Sequence, residues 1–311
     1  METLKPTKVL EFNPNQLAKV RAALGYSDIG KLKQDIDILE HWISKQNHFV
    51  VKNFDREYLE RYLIYNKGSV ERAKKHFDRL CASRNLMPEF LKDFDVKNEF
   101  KYLFKCAQIS VLPTPTPDNY RVVIARKFDD CEEITLFTYY RYVVALIEYF
   151  FAYDYCQGFV IVLDLRELPF SFVSKMNPIV IHKATILIVE TMAQRIKGIH
   201  FLSGSKFFDA AFSIIKMAVS AKLRERLFVH NDFESLYDIV PKNVMPKDYG
   251  GSGKSIKELM DINFQELSSD EHIARIKFME TAETNEKNRI SNEFGEADCG
   301  LPGSFRTLCV D

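Results

Sequence analysis

The run GFVIVLD, residues 158–164, constrains the fold of this chain more than any other stretch. A half-exposed strand alternates apolar and polar residues, and this one does not. Continuous apolarity over so short a length marks a strand covered on both faces. It belongs inside a sheet with further layers above and below it, and the flanking sequence supplies both. RVVIAR (121–126), IKGIHFL (196–202) and LFVH (227–230) also read as strands, while residues 133–153, 178–192 and 206–224 read as helices. Strands alternating with helices predict an α/β sheet joined by right-handed crossovers.

The first hundred residues have a different period. Asn13-Pro14 signals a helix start and Gly25 a stop. Leu32, Ile36, Leu39 and Ile43 form one stripe. Asp55 is placed to cap a helix carrying Leu59, Tyr62 and Leu63, and Ser69 to cap another with Val70, Ala73, Phe77 and Leu80 on one face. Such short amphipathic helices bury their stripes against each other or against a larger body. VLPTPTPDN (111–119) breaks the pattern with prolines, which disfavour a helix interior, so a domain boundary is expected there. From about residue 255 the chain is helical and acidic, with five basic and eleven acidic residues between Lys257 and Asp298.

Composition removes several function classes. Lys+Arg and Asp+Glu are both 43, so no net charge draws the chain to nucleic acid. Hydrophobic residues make up 46% of 311, which excludes a disordered or fibrous chain. The apolar stretch Tyr155–Leu163 falls well short of the roughly 18–20 residues of a membrane span, so no transmembrane segment is expected. METLKPTKVLEF has no apolar signal core, which predicts a soluble, cytoplasmic protein with its cysteines reduced. No cysteine or histidine pair has metal-ligand spacing, and neither metal nor cofactor is expected.

Local patterns that hint at chemistry lack its context. YGGSGKS (249–255) has Asp248 where a phosphate loop needs glycine and follows Pro246 instead of a buried strand, which leaves a glycine turn. Asp164 closes the buried strand with no nucleophile beside it, the setting of a residue capping a turn. His200 lies in an apolar strand, as hydrogen-bonded core histidines do. Ser203-Gly204-Ser205 lacks the spacing of a hydrolase elbow. With no catalytic residues visible, an enzyme is disfavoured. Residues 195–226 are different. Arg195, Lys197, Lys206, Lys216, Lys222, Arg224 and Arg226 face only Asp209 and Glu225 in an otherwise apolar, phenylalanine-rich stretch. It reads as an ordinary surface helix or as one that meets lipid, with cations for anionic headgroups.

GFVIVLDLRELPFS, RIKGIHFLSGSKFFDAAFSIIK, AKLRERLFVH and LYDIVPKNVMPKDYGG together resemble the CRAL-TRIO, or Sec14-like, lipid-binding family, in its tocopherol-, retinaldehyde-binding and clavesin branch. HWISKQNHFVVKNFDREYLERYLIYNKGSVERAKKHF resembles that family's N-terminal helical domain. The resemblance implies an N-terminal helical domain (1–110), a Sec14-like α/β lipid-binding domain (111–262) with a mobile helical gate at about Ser203–Arg226, and an acidic helical extension (263–311). It implies a lipid pocket lined by Leu163, Ala184, Leu187, Ile188, Ile199, Phe208, Ala211 and Phe212. It also implies a phosphoinositide clasp of Arg195, Lys197, Lys222 and Arg226. The expected function is a non-catalytic carrier that takes one hydrophobic lipid, a retinoid, tocopherol or similar, and exchanges it at phosphoinositide-containing membranes, associating peripherally and reversibly. The alternative is a lipid sensor that recruits a protein partner. This chain departs from the family pattern at Ala193, at Ser203-Gly204-Ser205 and at Met217, where prolines are common; a straighter gate helix follows.

Overall fold

The computed structural model describes residues 4–127 and 134–290. Helices come first: α1 (Gln16–Ala22), α2 (Ile29–Lys45), α3 (Arg56–Tyr65), α4 (Val70–Leu86), α5 (Pro88–Leu91) and α6 (Val96–Leu103). In α2 the stripe Leu32, Ile36, Leu39 and Ile43 is buried, and Asp28 caps the start by accepting from the Gly30 N–H. Ser69 caps α4 by accepting from the Arg72 N–H. Asp55 stands at the start of α3 without a side-chain capping bond. The first helix begins at Gln16, after Asn15 in a left-handed conformation, and not at Pro14.

The sheet has the order β1 (Ala107–Val111), β2 (Tyr120–Lys127), β3 (Gly158–Asp164), β4 (Ile196–Leu202) and β5 (Leu227–His230). β1 runs antiparallel to β2, and the other pairs are parallel. The expected strands are present and β1 is an addition. VLPTPTPDN therefore joins two neighbouring strands of one sheet.

Between the parallel strands run α7 (Leu136–Tyr153), α8 (Phe170–Ser174), α9 (Pro178–Thr185), α10 (Phe208–Ala218) and α11 (Ala221–Arg224); α12 (Ile256–Leu267) and α13 (Asp270–Thr281) follow. Two expected helices are remodelled. The helix at 178–192 is α-helical only to Thr185 and then widens into a π-helical turn, Ile186–Thr191. The helix at 206–224 breaks at Val219, where Ser220 caps α11. The 262/263 division falls within α12, and residues 291–311 of the acidic extension lie outside the described residues, as do Cys131, Cys299 and Cys309. Cys81, Cys106 and Cys156 are buried free thiols.

β3 is covered on both sides, as its composition predicts. Phe159 joins the large core shared with α2–α7, while Val160 and Val162 pack with Val122, Ile124, Leu236 and Tyr249 in a second cluster on the opposite face. Each such aliphatic side chain contributes about 1.5–3 kcal/mol when fully buried. Gly158 opens the strand at φ 143°, where any Cβ would strike the Arg195 carbonyl, which instead accepts the Phe159 N–H at 2.7 Å. At the other end Asp164 accepts from Arg166 at 2.7 and 2.9 Å and from the Tyr249 hydroxyl at 2.9 Å. Burial works to raise its pKa, but the Arg166 bonds and charge outweigh burial and hold the carboxylate below its usual range. It is a structural anchor, tying β3 to the glycine turn of YGGSGKS. That turn leads into a capping box, in which Ser255 and Glu258 open α12. A side chain at Gly251 would collide with the Met245 carbonyl, so the segment is packed against protein and has no phosphate-loop shape.

Candidate functional site

Between the sheet and the helical layer lies a cavity of about 310 Å³. That is within the range of small-molecule sites, roughly 300–1,000 Å³. Alternation of side chains along the strands makes its floor: Val123 and Ala125 of β2, Phe159, Ile161 and Leu163 of β3, Ile199 and Phe201 of β4. α7 forms one wall. Ile181 and Thr185 of α9, with Ile188 and Val189 of the π-helical turn, form another. Ala211 and Ile215, four residues apart on α10, roof it together with Val219 and Leu223. Among the described lining residues only Arg126, Tyr139, Tyr140, Thr185 and Gln194 carry side-chain nitrogen or oxygen. Arg126 is paired with Glu167 at 2.7 Å, and Thr185 donates to the Ile181 carbonyl at 2.8 Å. Burial pushes the Tyr140 phenol well up, so it stays neutral.

Of the expected pocket residues, Leu163, Ile188, Ile199 and Ala211 line this cavity, and Ala184, Leu187, Phe208 and Phe212 do not. Ala184 and Leu187 are fully buried in the main core, because the wall stripe runs through 181, 185, 188 and 189. Phe208 and Phe212 stack on each other at 5.3 Å and back Phe201, the floor residue, at 6.4 and 5.1 Å. They fix the roof helix without touching the space beneath it. α10 runs unbroken through Lys216-Met217, as the missing proline predicts.

The outer surface of α10 and of the neighbouring α8 and α9 carries exposed apolar residues and lysines. Met217 is 68%, Phe170 61% and Ile179 54% exposed. Phe170 packs on Phe207 at 5.1 Å, Lys206 sits over Phe207 at 5.1 Å, and Lys216 over Phe212 at 4.7 Å.

The expected cation clasp is gathered in part. Arg195 precedes β4, and Arg226, which follows α11, donates to the Ile196 carbonyl beside it. Lys67, from the turn after α3, has its pKa lowered by burial and then by the charges of Arg72, Arg195, Lys222 and Arg226. Five cations thus share one field. Lys197 is turned aside: it pairs with Asp118 at 3.4 Å and lies over the Tyr120 ring at 4.3 Å. Lys67 and Arg72 escaped the sequence reading because they lie in the helical unit, more than a hundred residues from the others. Gln194 is inconspicuous for another reason: in sequence it is one polar residue in a turn.

On the opposite side of β4, His200 Nδ1 is 3.0 Å from His230 Nε2, and His230 Nδ1 is 2.8 Å from the Ser235 hydroxyl, which donates to the Asp232 carbonyl at 3.0 Å. His200 is thus a hydrogen-bonded, buried histidine.

A cavity floored by a parallel sheet, walled by helices and roofed by a helix after β4 is what the pattern of residues 107–251 encodes, and those residues match the family model described as the CRAL/TRIO domain. The chain carries a CRAL/TRIO domain. Residues 28–100 match the model described as the Pinta-like UBA domain. The alpha-tocopherol transfer protein-like protein of Mus musculus is 24% identical over 257 residues, covering 79% of this chain and 73% of its own. Clavesin-1 of Xenopus laevis is 28% identical over 97 residues, covering 31% of this chain and 29% of its own. A solved structure titled "Crystal structure of Sfh5" aligns with a TM-score of 0.49 at 16% identity, over 75% of this chain and 92% of that one. CRAL/TRIO, Sec14-like proteins are in general lipid-binding transfer proteins. No described helix is long and apolar enough to cross a membrane.

Proposed function

We propose that this protein is a non-catalytic carrier that holds one hydrophobic lipid, a retinoid, tocopherol or similar molecule, in the cavity under α10. It exchanges that lipid at phosphoinositide-containing membranes, to which it binds peripherally and reversibly from the cytoplasm. The observation that carries this reading is the cavity itself, apolar on nearly every side and roofed by α10, which exposes Met217 beside Lys216, with Phe170 of α8 and Ile179 of α9 also exposed. Burying hydrocarbon yields about 0.8 kcal/mol per methylene, so such a space retains a lipid without chemistry. The exposed apolar side chains and Lys206 and Lys216 suit a helix lying on an anionic bilayer. The cluster of Lys67, Arg72, Arg195, Lys222 and Arg226 suits a headgroup with several phosphates, bound through charge-assisted hydrogen bonds.

The test is transfer of fluorescent tocopherol or retinoid between vesicles, with Ala211→Trp as the control. Ala211 is 1% exposed and lines the roof. Tryptophan there fills the cavity at a folding cost of about 1–3 kcal/mol. Ligand capture is expected to fall while the circular dichroism spectrum is kept. Equal capture by the variant means the lipid sits elsewhere. The match of residues 28–100 to the Pinta-like UBA model supports a second reading, lipid sensing coupled to recruitment of a protein partner. A sensor binds lipid without accelerating its exchange, which the same assay distinguishes.

A further inference from the structure

Gln194 stands out among the cavity's lining residues. It is 3% exposed, and its Oε1 is buried without a hydrogen-bond partner. Its Nε2 donates to the Met192 carbonyl at 2.7 Å, and its backbone N–H donates to the Ile188 carbonyl at 3.0 Å. A carbonyl accepts and cannot donate, so the amide is oriented with nitrogen toward Met192 and the oxygen left over. The side chain is held there by an unusual backbone. The π-helical turn Ile186–Thr191 ends on Met192, and Ala193 then takes φ 54°, a left-handed conformation that a proline, fixed near −65°, cannot adopt. Left-handed non-glycine residues carry strain, and they persist where the surroundings over-determine them. This backbone thus holds a buried, unpartnered acceptor on a residue that lines the cavity.

A buried acceptor left unpaired is costly, and a ligand that donates to it recovers that cost. An aldehyde, ether or ester oxygen only accepts; a hydroxyl donates. We infer that the bound lipid is an apolar alcohol whose hydroxyl donates to Gln194 Oε1, so that Gln194 selects alcohols over aldehydes and ethers of the same skeleton. This rests on the carrier reading and narrows its ligand class.

The test compares matched probes: retinol against retinal, and α-tocopherol against its O-methyl ether, each titrated by fluorescence into wild type, Gln194→Leu and Gln194→Met. Wild type is expected to bind each alcohol roughly tenfold or more tightly than its partner. Both variants are expected to bind the aldehyde and ether at least as well as wild type and to lose most of the preference. Equal affinities within each pair in wild type overturn the inference whether or not the variants fold. So does a preference that persists in both variants, because another group then reads the hydroxyl. If wild type binds none of the four probes, the carrier reading fails for both skeletons and the inference falls with it. Binding without discrimination overturns the inference alone.

Discussion

At the scale of single residues, the histidines set how this protein responds to acid. The Ser235 hydroxyl gives its proton to the Asp232 carbonyl, so His230 Nδ1–H donates to Ser235, and His230 Nε2 is left to accept from His200 Nδ1–H. Every link has one direction, and both rings are neutral. His200 is held down at about 4, first by burial, then by His230 and Lys197. His76 and His272 are also held at about 4, by burial first, with Arg72, Arg79 and Lys75 adding for His76 and Arg275 for His272. In the unfolded chain a histidine titrates near 6.5. Between about 6.5 and 4 the unfolded state therefore binds more protons, and stability must fall as pH falls through that window. Urea midpoints are expected to be nearly flat above pH 7 and to drop steadily toward pH 4.5. His200→Gln should make that drop shallower. A wild-type midpoint that does not move over this range would contradict the assignment of neutral buried rings.

At the scale of elements, what the sequence makes legible is what burial makes unambiguous. β3 reads correctly because cover on both faces removes every polar residue from Gly158 to Leu163. AQISV, which forms β1, offers no such signal. It is short, and it follows α6 directly, so its pairing with β2 comes from tertiary packing, including α12 laid against it. The wall helix is legible as a helix, but its π-helical widening leaves no periodic trace, and the face it turns to the cavity carries Ile181, Thr185, Ile188 and Val189, with Ala184 and Leu187 in the core. The roof was located by its charge and phenylalanines, yet its lining pair, Ala211 and Ile215, is its least conspicuous stripe. A pair of substitutions separates core from cavity. Leu187 is fully buried in the core, so Leu187→Asp leaves a carboxylate without a partner there, at several kcal/mol, and should prevent cooperative folding. Ile188→Asp, one residue on, faces the cavity and should keep the fold while losing apolar ligand. Thermal melts and ligand titrations of the two proteins check this. A stable, ligand-free Leu187→Asp protein would restore Leu187 to the lining.

At the scale of the whole molecule, the helical unit and the α/β unit share one apolar core, and they also share one unfavourable field. Lys67 comes from the first unit. Arg195, Lys222 and Arg226 come from the second, and each of these cations lowers the pKa of Lys67. Self-repulsion of this kind lowers stability, and an anionic headgroup, as proposed above, would relieve it. Lys67 and Lys222 are exposed, which makes them suitable to remove. The double substitution Lys67→Ala with Lys222→Ala relieves repulsion, so the melting temperature should stay level or rise. Each cation near an anionic surface is worth about 1 kcal/mol, so affinity for phosphoinositide vesicles should drop by about 2 kcal/mol, roughly thirtyfold. Lys197→Ala should cost less than either single change, because Lys197 is already paired with Asp118. Raising the salt should narrow the gap between wild type and the double variant, since exposed charges are screened within about 10 Å at 0.1 M ionic strength. Co-sedimentation with phosphoinositide and neutral vesicles, run beside thermal melts, reads both quantities from the same preparations. A double variant that binds as wild type does would show these cations to be solvated charge alone. One that binds weakly because it melts early would instead assign them to holding the two units together.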